Sequence, residues 1–266
     1  MTSQPAVYSS RHFRQTLEEA ASRASSAALS MQKDGYQKFS KAGTYSPEEM
    51  FTSADIEAQR IIVELLQASY SDIPVVAEEQ QSPEITTDTF FTVDPIDGTL
   101  SYSAGGSSWG CIVGYIHKGQ PAAGALSSPV HGTVSGALTK GCYLNGSEVK
   151  LHDAPLTSVV IPYGPWTPHV VKDRVLPALE RDGIEVIRTE STADAFFRLL
   201  MGQAQLQIGC AERIWDIAGP AALITEAGGV VCSSDGSDHS WSKIEAPSLM
   251  AVSRRHIDRV LTQLRD

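Results

Sequence analysis

Between Trp109 and Leu151 the chain breaks into short β-type runs: Cys111 to His117, Ala122 to Ser127, Thr133 to Leu138 and Cys142 to Leu144. The turns between them carry Lys118-Gly119, His131-Gly132 and Asn145-Gly146. Each pair ends in a glycine that accepts a positive φ, so each closes a hairpin at little cost. Hairpins in series make an antiparallel meander, and a sheet of that width has to be covered on at least one face. The flanking residues must therefore supply the cover.

Upstream, Phe13, Leu17, Ala20, Ala21, Ala24, Ala28 and Met31 recur at helical spacing and predict an amphipathic helix from about Ser10 to Met31. Thr52 or Ser53 caps a second helix through Ile56, Ile61, Ile62, Leu65 and Leu66. The polar stretch between them, Lys33 to Pro47, reads as a loop able to move. Two β-type runs follow, Ile73 to Ala77 and Thr89 to Val93, and each ends directly in acidic residues.

Beyond the meander the pattern predicts strands near Ser158 to Ile161, Ile184 to Arg188, Ala204 to Ile208 and Leu249 to Val252. Helices are expected at Pro168 to Glu180, about Thr192 to Met201, Trp215 to Ala227 and at the basic C-terminus. Gly228-Gly229 stops the third of these as a left-handed cap, and Pro220 is placed in its first turn, where a missing amide costs little. Helices alternating with antiparallel strands give an α+β, layered architecture. With no linker in 266 residues, two halves, 1–152 and 153–266, are expected to pack intimately.

A formal charge of −10 argues against a nucleic acid polymer or an anionic membrane as partner. No run approaches the roughly 20 apolar residues that cross a bilayer, and Met1 to Asp34 has no apolar signal core. A soluble, cytoplasmic protein is expected. Cys111, Cys142, Cys210 and Cys232 are scattered without metal-ligand spacing, as are the histidines, so reduced thiols and no zinc site are expected.

Three acidic groups stand out by position: Glu78-Glu79 after Pro74 to Ala77, Asp94 and Asp97 within Asp94-Pro-Ile-Asp-Gly-Thr99, and Asp216 at the start of a helix. Carboxylates at the exits of apolar strands cluster at one sheet edge. Two of them about 5 Å apart repel by roughly 3 kcal/mol at an effective dielectric near 20, so three or four call for a cation. An all-oxygen set selects magnesium or manganese over zinc. Taken singly, Asp-Pro and Asp-Gly are turn formers, and Asp216 is an ordinary helix cap.

Taken together, the residues carry a resemblance. Thr52-Ser-Ala-Asp55, Ala77-Glu-Glu79, Asp94-Pro-Ile-Asp-Gly-Thr99 and Trp215-Asp216 running into Glu226-Ala-Gly-Gly229 occur in order and span most of the chain. The sequence resembles the inositol monophosphatase superfamily, lithium-sensitive magnesium phosphatases. The resemblance implies a layered α/β/α/β/α sandwich. It also implies a first metal held by Glu78, Asp94 and the Ile96 carbonyl, a second by Asp94, Asp97 and Asp216, and a weaker third at Glu78. Manganese is a possible substitute for magnesium.

Thr99, bonded to Asp55, would orient the attacking water, with Glu78 counted among the catalytic residues. Gly98 and Thr99 would receive the phosphate. Ser191, Thr192 and Ala193 would contact the substrate, and Lys41 corresponds to a mobile-loop lysine of some relatives. A small phosphate ester as partner and a homodimer are implied in the same way.

Departures bear on substrate. Ser101-Tyr102 replaces the usual Asn-Phe, and the next stretch is the small Ser103-Ala-Gly-Gly-Ser-Ser108. Gly209 to Ile214 lacks the acid that inositol phosphatases place against a ring hydroxyl, and Glu212-Arg213-Ile214-Trp215-Asp216 looks more like the adenosine bisphosphate nucleotidase branch. The leading expectation is a phosphatase of a small sugar, cyclitol or nucleoside phosphate. The alternatives are a 3′(2′),5′-bisphosphate nucleotidase, with Tyr163 or Trp166 stacking on a base, and a non-catalytic metal-binding regulatory protein on the same fold.

Overall fold

The computed structural model describes residues 11–40, 50–80 and 83–265. The first helix, α1 (Arg11–Asp34), buries Phe13, Leu17, Ala20, Ala21, Ala24 and Ala28, the stripe its sequence spacing predicts, and runs past Met31 to Asp34. Thr52, not Ser53, caps α2 (Ser53–Tyr70): its hydroxyl accepts from the Ala54 and Asp55 amides while Asp55 reaches back to the Thr52 amide. Between them β1 (Lys38–Ser40) pairs antiparallel with β2 (Met50–Thr52), so part of the expected Lys33–Pro47 loop is a strand, and Lys33 itself belongs to α1. Lys41 lies outside the described residues.

Seven strands form the first sheet in chain order: β3 (Val75–Ala77), β4 (Phe90–Asp97), β5 (Gly110–His117), β6 (Gln120–Ser128), β7 (Gly132–Ala137), β8 (Cys142–Leu144) and β9 (Ser147–Val149). Positive φ at both Lys118 and Gly119, and at both Asn145 and Gly146, marks the tight hairpin turns.

A second sheet is ordered β11 (Glu185–Thr189), β10 (Ser158–Pro162), β12 (Leu206–Ile208), β14 (Ser248–Ala251), β13 (Val230–Ser233). Strand β13 has no counterpart in the sequence reading, and the strands are not antiparallel throughout. β3 pairs parallel with β4, and β10 pairs parallel with both β11 and β12. Parallel neighbours need a crossover of a dozen residues or more, and the helical segments after β10 and β11 supply two of them.

These helices are a π-turn at Val171–Val175 leading into α4 (Leu176–Arg181), and α5 (Thr192–Leu200). The short α3 (Thr99–Ser103), α6 (Ile214–Glu226) and α7 (Arg254–Arg265) complete the set. Helices α1 and α2 cover one face of the first sheet, α5 and α6 lie between the two sheets, and α4 and α7 cover the far side of the second. The result is α/β/α/β/α, as the motifs imply.

What places α6 is a seam without side chains. A Cβ on Gly114 would sit 2.6 Å from the Gly219 amide nitrogen, and one on Gly219 would sit 2.6 Å from the Val113 carbonyl. Only glycine permits backbone to approach backbone this closely. The seam holds α6, and Asp216 near its start, against β5. Because α6 begins at Ile214, Pro220 falls in its second turn rather than its first, and supplies no amide to the Asp216 carbonyl. No helix among the described residues is long and apolar enough to cross a membrane. All four cysteines are free and buried, with burial pushing Cys142 and Cys210 up to about 12.

Candidate active site

Strand β4 alternates Phe91 and Val93 into the core under α1 and α2, and Phe90 into the core between the sheets. Its end departs from that order. Between Asp94 and Asp97 the pairing with β5 shifts register, and the bulge turns both carboxylates toward one point. Ligand oxygens of Asp94, Asp97 and Asp216 lie within 4.8 Å of one another. With Glu78, Ile96, Gly98, Thr99, Ala211, Arg213 and Trp215 they line a cavity of about 140 Å³. A larger groove, about 840 Å³, runs along α1 near Lys140 and Tyr143. Its charges are partly paired, as Arg14 is with Glu18, and it gathers no comparable ligand set.

Thr99 opens α3 behind this cavity. Its Oγ1 donates to the Ile96 carbonyl at 3.1 Å and lies 3.5 Å from Asp55 Oδ1. Asp55 is fully buried, and its Oδ2 accepts from the Thr52 amide at 2.7 Å and the Thr52 hydroxyl at 2.6 Å. The capping box of α2 thus holds the carboxylate that faces Thr99.

Gly98 joins β4 to α3 at φ +90°, and a Cβ there would meet the Ser108 carbonyl and Ser191 Cβ, each at 2.6 Å. That contact seats the turn against the N-terminus of α5. Ser191 caps this helix by accepting from the Asp194 amide at 3.0 Å, and the Ala193 amide donates to Asp97 Oδ2 in a short bond. The Ser191–Ala193 segment therefore meets the acidic cluster through Asp97.

On α6, Asp216 Oδ2 accepts from the Arg213 amide at 2.8 Å. Glu212 turns inward, 2 % exposed, accepting from Gln207 Nε2 and from the amide and hydroxyl of Ser248. Burial pushes its carboxyl up to about 8, with the nearby charges of Asp216 and Asp97 adding to the shift. The Arg213 guanidinium lies 5.8 Å over the Trp215 ring at the cavity wall. Tyr163 and Trp166 do not line this cavity. The Tyr163 ring carries Lys172 and Arg188 at 5.6 and 5.4 Å.

The cluster is electrostatically unbalanced. Burial, then repulsion from Glu78, Asp97 and Asp216, raises Asp94 well above the usual carboxylate range. Burial and Asp216 do the same to Asp97, opposed by the Ala193 amide. Burial and Glu78 push Asp216 up to about 7. Asp94 Oδ1 is also buried without a hydrogen-bond partner, a rare state for a polar atom. Convergent carboxylates with an orphaned oxygen and no sulfur or imidazole fit a hard divalent cation.

Asp194 escaped the sequence reading. An acid in the first turn of a helix has an ordinary explanation in the helix dipole, and beside Arg198 one turn on, its partners Ser108 and His131 are distant in the chain.

Comparison with known proteins agrees with this fold. The chain is 28 % identical over 214 residues to a probable inositol 1-monophosphatase, ImpA, of Mycobacterium tuberculosis, covering 77 % of this chain and 78 % of that one. It is 26 % identical to a fructose-1,6-bisphosphatase/inositol-1-monophosphatase of Thermotoga maritima, over 74 % of this chain and 76 % of that one. It is 24 % identical to the Nus factor SuhB of Pasteurella multocida, covering 82 % and 84 %. In fold it matches the extragenic suppressor protein SuhB of Bartonella henselae with a TM-score of 0.84 at 18 % identity, over 95 % of this chain and 98 % of that one. The sequence model of the inositol monophosphatase family matches residues 10–266, and the chain belongs to that family.

Proposed function

We propose that this protein is a magnesium-dependent phosphomonoesterase that hydrolyses a small, soluble phosphate ester with water as the nucleophile. The observation that carries the reading is the cluster of Asp94, Asp97 and Asp216, with an orphaned oxygen on Asp94, beside Thr99 and Asp55. Glu78, Asp94 and the Ile96 carbonyl would hold one magnesium; Asp94, Asp97 and Asp216 would hold another, and Glu78 contributes to a weaker third. Bound there, magnesium neutralises phosphate charge and makes water more acidic.

The chain's own part is positional. The Thr99 hydroxyl directs its hydrogen toward the Ile96 carbonyl and Asp55, which leaves an Oγ1 lone pair to accept a hydrogen bond from water and orient it. Any proton that Oγ1 gained from that water would be matched by its own proton passing to the Asp55 carboxylate. The capping box keeps Asp55 from rotating away. Gly98 and Thr99 line the cavity and present the site for the phosphate. The Ala193 amide holds Asp97, and Ser191 to Ala193 flank the side from which the rest of the substrate would approach. No serine or cysteine nucleophile is needed, and all four thiols are buried.

The substrate class is a sugar, cyclitol or nucleoside phosphate. Several relatives are named as Nus factors, which supports a second reading, a regulatory role on the same fold. The retained Thr99, Asp55 and carboxylates favour catalysis.

Phosphate release separates the two. The panel is myo-inositol 1-phosphate, fructose 1,6-bisphosphate, histidinol phosphate, 5′-AMP and adenosine 3′,5′-bisphosphate, each with magnesium and with chelator. Magnesium-dependent release concentrated on one ester is expected. No release from any ester by magnesium-loaded protein would overturn the enzymatic reading.

A further inference from the structure

We propose that Asp194 is a positioning residue for the metal site, clamping the 103–108 loop and the first turn of α5 so that Ala193 holds the Asp97 carboxylate. The inference rests on the metal-dependent reading above and extends it to a residue outside the cavity wall.

Asp194 is 8 % exposed. Its Oδ2 accepts from Ser108 Oγ at 3.2 Å, and its Oδ1 lies 2.9 Å from His131 Nε2 and 3.3 Å from Arg198 Nε. A first-turn acid that only served its own helix would point at that helix's amides. This one reaches out to two other segments: the loop that follows α3, and the turn between β6 and β7. Ser108 Oγ is itself the acceptor for the Glu190 amide at 3.3 Å, so the loop is tied to the strand–helix junction twice. His131 is braced from behind by the Phe197 ring, 4.9 Å away. Ser108 bonds to the carboxylate and not to His131, so the three residues form a tether, not a nucleophile relay.

The tether acts where the site has no slack. The Ser108 carbonyl and Ser191 leave no room for a Cβ at Gly98, and Ala193, next to Asp194, donates to Asp97. Releasing Asp194 frees the loop and lets the first turn of α5 drift, which lengthens the Ala193–Asp97 bond. Partners that orient a ligating carboxylate set metal affinity, and losing one costs about 10- to 100-fold.

Titration calorimetry with magnesium, alongside kcat and KM on the best ester of the panel, tests this. Asp194→Ala is expected to weaken magnesium binding by roughly 10-fold. Asp194→Asn keeps an acceptor for Ser108 and should recover most of that loss. Ser108→Ala releases the loop alone and should weaken magnesium binding by less than Asp194→Ala does, with the loss made up at saturating magnesium. Wild-type magnesium affinity in folded Asp194→Ala, with only a lower Tm, would overturn the proposal. If Asp194→Ala does not fold, the Ser108→Ala/His131→Ala double variant takes its place, and unchanged affinity there overturns it equally. Failure of the wild-type protein to bind magnesium would be a different result, removing the phosphatase reading itself.

Discussion

Strand β4 offers two environments a few residues apart. Around Phe91 the strand is held by aromatic packing: its ring lies 5.1 Å from Tyr115, 5.9 Å from Phe13 and 6.1 Å from Tyr70, all at favourable tilted or stacked geometry. At Asp94 to Asp97 little is satisfied. The carboxylates converge, one oxygen has no partner, and burial raises every member of the trio. The same sheet thus stores stability on one face and holds strain at one end. The strained end is tolerable because the packed face over-determines where the strand goes. A cation relieves at the end what packing cannot.

The sharpest way to break the comparison is Asp94→Asn. At the strained end, turnover should fall below detection while the fold is kept, because the carboxylate proposed to hold both metals loses its charge. In chelator the variant should melt higher than wild type, since one of several repelling carboxylates is gone. Near-normal turnover, or a lower melting point in chelator, would show that the cluster is not under the strain described.

Phe91→Ala is the mirror test on the packed face. Removing a buried aromatic ring costs about 3–5 kcal/mol, and in a chain of this size Tm should drop by roughly 10 °C. Turnover per folded molecule should hold. A Tm change of under about 2 °C would mean that this face does not carry the stability assigned to it.

A smaller, graded effect concerns pH. In metal-free protein the folded-state Asp216 is pushed up to about 7 against an ordinary 3.8, and Glu212 up to about 8 against 4.5. The folded state therefore keeps protons that the unfolded chain has already released. That contribution is full below about pH 4 and is lost as pH rises through 7 to 8. Thermal melts in chelator should fall across this window, and magnesium should restore Tm most at its alkaline end. A flat profile in chelator would separate the cluster's geometry from its electrostatics.

Much of this was legible in the residues. The stripe on α1, a cap at Thr52 or Ser53, the hairpins of the meander and the order of the acidic motifs are local patterns: helical period, turn chemistry and a carboxylate after an apolar run. The parallel pairings of β3 with β4, and of β10 with its neighbours, were not legible. Period-two alternation specifies faces but not direction, and direction follows from which crossovers the helices make. Strand β13 was hidden for a related reason. Val230 to Ser233 is only four residues long and becomes a strand by having β14 beside it.

The division between sequence and tertiary structure runs through the site itself. The sequence alone determined the chemistry available: hard oxygen donors, a threonine after Asp-Gly, and a glycine where a Cβ would not fit. Only tertiary structure decided the arrangement. The glycine seam brings α6 to the sheet so that Asp216, more than a hundred residues from Asp94 in the chain, joins it within 4.8 Å. The turn at Ala211 to Arg213 sends Glu212 inward to Ser248 and leaves Arg213 at the cavity wall. Ser108, His131 and Asp194 meet only because a loop, a hairpin turn and a helix start are packed together. Residue type sets what a group can do, whereas packing across the sheet sets what it faces, and that depends on contacts no local pattern encodes.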